Sequence, residues 1–187
     1  MKEDLDRWNS RFRDREIAAV PDPDPWLSAR NDLPLHQSGS DALDLASGSG
    51  HNAVWLATKG FRVTAIDGSH EGMRLALQLA KGCGVVIRPI VADLDQYPLT
   101  GSFDLIVVTH YLNRILMPRL GQHLNPGGML YARTFNRDFL KQRPGINSDY
   151  TLAPGELLQL FEDLVVIDHA ESPPGDVGNS HIFCRRQ

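Results

Sequence analysis

Short apolar runs alternate with helical stretches along most of the chain. The runs fall at residues 41–46 (DALDLA), 62–67 (RVTAID), 85–91, 103–109 and 129–134. Between the first two lies an almost wholly apolar helical segment through Ala53, Val54, Trp55, Leu56 and Ala57. After the second, a helix is expected from about Ser69. It carries Met73, Ala76, Leu77 and Ala80 on one face and ends at Gly82-Cys83-Gly84. This rhythm predicts a mainly parallel sheet with helices on both faces. Pro89 cannot donate to a ladder, so its strand belongs at an edge, where a strand order of 3-2-1-4-5 puts it. Residues 152–161 read as a helix, with Pro154 near its start and Leu157, Leu160 and Phe161 facing the core. Residues 164–168 and 181–185 read as two more strands. Only a turn-like stretch joins them, so the last strand must return antiparallel. The expected architecture is a three-layer α/β sandwich around seven strands, mostly parallel, with the last reversed.

The segment before residue 41 has a different texture. Residues 3–17 are highly charged but carry Leu5, Trp8 and Phe12 on one helical face. Such a stripe usually packs as core, and the alternative is a lid over a ligand. Pro21-Asp22-Pro23-Asp24-Pro25 should run extended as a stiff connector, followed by the apolar anchors Trp26 and Leu27. Residues 1–38 are therefore expected to form an arm on a core of residues 39–187, the whole making one domain.

Composition narrows the partners. With 187 residues, 42% of them hydrophobic and 22% charged, the chain can fill a core. A net charge of -4 with no basic stripe argues against gripping nucleic acid. No apolar run approaches the roughly 18 residues of a membrane span, and the charged start is no secretory signal. Cys83 and Cys184 make no disulfide framework and read as reduced thiols of a cytoplasmic protein. The seven histidines are scattered, so no metal is expected. No heptad or apolar patch marks an oligomer interface.

The chemistry concentrates at residues 44–53, Asp44-Leu45-Ala46-Ser47-Gly48-Ser49-Gly50-His51-Asn52-Ala53. A strand runs into a small-residue loop and then into a helix N-terminus, which offers free N–H donors and close backbone approach. Gly48 to Ala53 also fits G-x-G-x-x-A, a dinucleotide pattern. Asp67 ends the second strand, where a carboxylate can accept two hydrogen bonds from a ribose diol. Asp44 separates the readings. A carboxylate there would repel a pyrophosphate but suits a ligand with sulfonium and ammonium groups, such as S-adenosylmethionine.

The stretch Asp44 to Gly50 resembles motif I, acid-x-G-x-G-x-G, of the class I S-adenosylmethionine-dependent methyltransferases. Ala46 stands where that family has its first glycine, a change that is tolerated if the backbone there avoids positive φ. Other motifs fall in register: Val63 to Ser69, Ala92-Asp93-Leu94, Phe103 to Val108, and Leu124-Asn125-Pro126-Gly127-Gly128-Met129-Leu130. Gly50-His51-Asn52-Ala53 followed by Trp55-Leu56-Ala57 is similar to the variant in small tellurite-resistance and thiopurine-type methyltransferases. The resemblance is specific to about residue 135. It implies a Rossmann-like fold and S-adenosylmethionine as cofactor. Asp44, Ala46, Ser47, Gly48, Gly50 and Asn52 would form the loop at its methionine end, lined by His51. Asp67, Gly68 and Ser69 would hold the ribose, and Asp93 and Leu94 the adenine. Thr109 and His110 would face the transferred methyl.

Methyl transfer is an in-line displacement that needs alignment and exclusion of water more than a catalytic group. The expected acceptor is a small molecule, for example a thiol or a reduced chalcogen, which needs little base catalysis. His110, at the carboxyl edge of the sheet, is the candidate to orient or deprotonate it, or else it packs beside the cofactor. Tyr111 is a second candidate, better suited to a pocket wall. Arg133, Asn136, Arg137, Arg143 and Tyr150 are expected in a loop after the fifth strand, mostly solvated. A nicotinamide-dependent oxidoreductase would explain Gly48, Gly50 and Asp67, but not Asp44 or the Pro126-Gly127-Gly128 turn. A non-catalytic cofactor-binding module is the other alternative.

Overall fold

A computed structural model describes residues 2–15, 22–33 and 39–187, with residues 2–5 as backbone only. Seven strands form one sheet: β1 (Asp41–Leu45), β2 (Arg62–Asp67), β3 (Ile87–Val91), β4 (Phe103–Thr109), β5 (Leu124–Phe135), β6 (Val165–Glu171) and β7 (Asn179–Arg185). Their order is β3-β2-β1-β4-β5-β7-β6. The first five strands pair in parallel, and β7 runs antiparallel to both β5 and β6. This is the three-layer Rossmann-like sheet that the sequence implies, with Pro89 on edge strand β3.

The period-2 pattern of each strand builds two cores. Leu43, Leu45, Ile106, Val108, Leu130 and Ile182 face Met117, Leu120 and Leu157 on one side. Ala42, Ala65, Leu105, Val107, Tyr131 and Phe183 face the other. There they meet α3 (His51–Thr58) and α4 (His70–Gly82) through Ala53, Leu56, Met73 and Ala76.

Two helices of the arm lie among the described residues, α1 (Lys2–Arg13) and α2 (Pro25–Ser28). Trp8 and Phe12 stack at 5.9 Å, and Phe12 is buried; the Leu5 side chain lies outside the described ones. Asn9 Oδ1 accepts hydrogen bonds from Ser69 Oγ at 2.7 Å and from the Glu71 N–H at 3.3 Å, tying α1 to the start of α4. Leu27 and Leu33 enter the Tyr131–Phe183 core.

Several boundaries differ from expectation, each for a local reason. The third strand begins at Ile87 rather than residue 85. Gly84 takes φ +69° and the Val85 N–H closes α4 on the Ala80 carbonyl, as in a Schellman cap. The helix expected over 152–161 is only α6 (Glu156–Leu160), after α5 (Phe139–Gln142). Leu152 instead bridges Asn136 beside the end of β5, and Gly155 at φ +73° turns the chain into the helix. The Asp/Pro stretch expected as an extended connector does not stay extended to its end. Pro21 lies outside the described residues, Asp24 caps α2, and Pro25 opens that helix.

Candidate functional site

The parallel strands β1, β2 and β4 bring Asp44, Asp67 and Thr109 to one edge of the sheet. Between β1 and α3 the chain makes a tight loop at residues 46–50. Asp67 anchors it: its Oδ2 accepts from the Gly48 N–H and its Oδ1 from the Ser69 N–H, both at 2.7 Å. Burial raises the Asp67 pKa, and these two donors oppose the rise. Gly50 caps α3 at φ +78°. A Cβ there would lie 2.5 Å from that of Ala76, so this glycine lets α3 and α4 close together.

Ala46 sits at φ +57°. The condition for tolerating alanine where the motif has glycine, a backbone that avoids positive φ, is therefore not met. The left-handed conformation disfavours an L side chain by roughly 1–2 kcal/mol, partly offset by glycine's greater loss of freedom on folding. Ala46→Gly is therefore expected to stabilise the fold by about 1 kcal/mol, read from the urea midpoint.

Asp44 is completely buried. Its Oδ2 accepts from the Ala53 N–H at 2.9 Å, while its Oδ1 has no partner among the described residues. Ser47 Oγ, in the loop that follows β1, is also buried without a partner among the described residues. Burial pushes the Asp44 carboxyl up to about 8, and the Asp67 charge adds to the rise against the Ala53 N–H. A buried carboxyl oxygen at the end of β1 and a hydroxyl left open in the loop that follows suit a positively charged, hydrogen-bonding group.

Beside this loop lies a network that the sequence reading missed. Arg133 is a buried residue of β5, not part of a solvated loop. Its Nη1 bonds Asp24 Oδ2 at 3.0 Å, and its Nε and Nη2 grip Asp176 at 2.9 and 2.5 Å. Asp24 Oδ1 also accepts from the Tyr131 hydroxyl at 2.5 Å, and Asp176 Oδ2 accepts from Trp26 Nε1 at 3.0 Å. The same Arg133 Nη1 lies 3.1 Å from His110 Nε2. Asn52 joins loop to network: its Oδ1 accepts from the Asp24 N–H and its Nδ2 donates to Thr109 Oγ1. The available signal was phase. Arg133 is two residues beyond Tyr131, in step with the buried face of β5, and a charge there needs partners. Asn136, also expected in the loop, is instead a buried strut bonded to Ser172, Asn179 and Ser180. Arg137, Arg143 and Tyr150 are exposed, as read.

Residues 11–164 match the model of a methyltransferase-domain family. The chain belongs to that family. Its fold is that of the class I S-adenosylmethionine-dependent methyltransferases. The methyltransferase domain is 26% identical over 148 residues to a ubiquinone biosynthesis O-methyltransferase of Rickettsia akari, a match covering 68% of this chain and 59% of that protein. It spans between 35% and 59% of the length of four such Rickettsia enzymes. Among solved structures it resembles TehB from Haemophilus influenzae, with TM-score 0.66, 19% identity, and 80% of this chain and 58% of that one covered. It also resembles a structure described as converting a disulfide bond into a thioacetal group during echinomycin biosynthesis. There the TM-score is 0.71 and the identity 20%, over 98% of this chain and 93% of that one.

The remaining candidates of the methyltransferase domain fall around the same edge. Ser69 is buried and its hydroxyl is engaged, accepting from the Gly72 N–H and donating to Asn9. Gly68 lies between it and Asp67. Asp93 caps its own turn, accepting from the Asp95 N–H at 3.1 Å and from Gln96 Nε2 at 3.2 Å, while Leu94 packs on the sheet. His51 opens α3 and is exposed on its outer side. Partial burial of the ring lowers its pKa. Tyr111 is hydrogen-bonded by Asn113 Nδ2 at 3.1 Å, and burial raises its pKa to about 12. A phenol held neutral in this way is a wall or a donor, not a base. His110 has φ +55° and its ring lies 5.1 Å from that of Phe135, which stacks on Phe139 at 4.1 Å.

Proposed function

We propose that this chain is an S-adenosylmethionine-dependent methyltransferase acting on a small-molecule acceptor. The observation that carries the reading is the open Oδ1 of buried Asp44, with the open Ser47 hydroxyl three residues on. An ammonium group reaching both would satisfy them and favour the charged carboxylate, whereas a pyrophosphate would oppose that charge. When bound, S-adenosylmethionine supplies a methyl group on a positive sulfur. Asp44 and Ser47 would hold its amino-acid end and the remaining lone pairs of Asp67 its ribose. Asp93 and Leu94 would border the adenine, and Thr109 and His110 the methyl. The Phe135–Phe139 stack, with the His110 ring tilted against Phe135, favours an acceptor with a flat face. The O-methyltransferase relatives bring an oxygen nucleophile into consideration beside a thiol or reduced chalcogen. Among the described residues no helix is long and apolar enough to cross a membrane. Both cysteines are unpaired thiols, which suits the cytoplasm.

The test is calorimetric titration with S-adenosylmethionine, S-adenosylhomocysteine and NADH. Micromolar binding of the first two alone supports the reading, and binding of NADH alone overturns it. The same titration reads Asp44. Its carboxyl holds a proton below about pH 8, and pairing with an ammonium needs the carboxylate. Binding at pH 7 should therefore expel close to one proton, seen as a heat that depends on buffer. Affinity should weaken by about tenfold per pH unit as the pH falls below that value. Binding with no proton release would separate Asp44 from the ligand.

A further inference from the structure

The contact between Arg133 and His110 decides which ring nitrogen carries the proton. A guanidinium has donors only. At 3.1 Å from Nη1, His110 Nε2 must therefore offer its lone pair. A neutral imidazole with that lone pair free carries its proton on Nδ1. Partial burial of the ring pushes the His110 pKa down, and the Arg133 charge pushes it further. Asp24 before α2 and Asp176 in the β6–β7 turn pull the other way, while Arg11 of α1 adds to the lowering. Both acids already accept from Arg133. The residue as a whole is exposed and directly follows β4.

We infer that Arg133 is a positioning residue that fixes His110 as an Nδ1–H donor, and that the site therefore takes an acceptor that arrives already as an anion. This rests on the methyltransferase reading above. His110 has no free lone pair with which to take a proton. Tyr111 is a neutral phenol, and Asp24 and Asp176 are consumed by Arg133, Tyr131 and Trp26. An ionised nucleophile, a thiolate, acidic phenolate or chalcogenide, needs no base and would accept from His110 Nδ1–H. Its lone pair forms the new bond to the methyl carbon. The carbon–sulfur bond breaks and its electron pair returns to the sulfonium, leaving a neutral thioether. No proton moves.

The first experiment uses the protein alone. Long-range nitrogen–proton correlation spectra of the histidine-labelled chain should show, at pH 7, a protonated Nδ1 and a bare Nε2 for His110. Arg133→Lys keeps one positive charge between Asp24 and Asp176 but removes the forked donor. In that variant the proton should move mainly to Nε2 and the titration midpoint should rise. A wild-type His110 protonated on Nε2, or charged at pH 7, overturns the inference. The second experiment supplies S-adenosylmethionine with 4-nitrothiophenol or 2-mercaptoethanol. With S-adenosylmethionine kept saturating at every pH, so that the titration of Asp44 does not enter, turnover of the acidic thiol should be flat from pH 6 to 8, and that of the weak one should rise about tenfold per unit. A rise shared by both thiols, or cofactor binding with neither methylated, overturns it. Failure to bind the cofactor would count against the methyltransferase reading and leave the spectra of His110 untouched.

Discussion

Arg133→Met is expected to destabilise the fold by about 3–5 kcal/mol, the range for removing one partner of a buried ion pair. The Asp24 side chain is only 3% exposed and that of Asp176 14%. Both would keep their burial and lose the cation that compensates it. The loss should appear as a lowered urea midpoint with little change in slope. A further double change of Asp24 and Asp176 to Asn should restore much of it, because the penalty belongs to uncompensated charge and not to lost volume. By contrast, Arg30 pairs with Asp32 and Asp168 where those acids are 41% and 44% exposed, and its removal should shift stability by no more than about 1 kcal/mol. The pH dependence has a definite sign. Burial alone would raise the Asp176 pKa, but the bonds and charge of Arg133 hold it below the ordinary carboxylate value. A depressed folded pKa contributes stability above the unfolded value, lost as pH falls through the folded one. Wild type should therefore lose this increment in acid, and the methionine variant should have little of it to lose.

That network also marks where the sequence stopped being legible. Strands β1, β2 and β4 are short apolar runs with turn residues at their ends, so periodicity finds them without help from the rest of the chain. The antiparallel return of β7 follows from a connection with no helix in it. The strand read at residues 129–134 already spans Arg133, yet the residue reads as a solvated loop position because a lone charge looks polar. The residue that makes it tolerable there, Asp24, lies 109 positions earlier in a segment that reads as a connector. Pattern carries burial but not long-range pairing, and a buried charge looks like a surface charge until its partners are placed. The site divides in the same way. Asp44 and Asp67 stand at strand ends, where topology alone brings them together. The tie from His110 to Arg133, and the strain at Ala46, depend on backbone angles and contacts that no single segment encodes.

Asp67→Ala should separate binding from folding. If the carboxylate accepts two charge-assisted hydrogen bonds from the ribose, each worth roughly 1.5–3 kcal/mol, its loss should weaken S-adenosylhomocysteine binding by at least about a hundredfold. Stability should move far less, for two opposing reasons. The Gly48 and Ser69 N–H groups lose their acceptor, which destabilises the loop. Burial, however, raises the Asp67 pKa. The folded state therefore binds its proton more tightly than the unfolded state does, and the charged form opposes folding once the pH exceeds the ordinary carboxylate value. Removing the group relieves that opposition at neutral pH. A net change within about 1 kcal/mol in the unfolding midpoint, beside a collapse in affinity, is the signature of a residue kept for its ligand. Affinity that survives the substitution would mean that Asp67 serves the loop alone and that the ribose is held elsewhere.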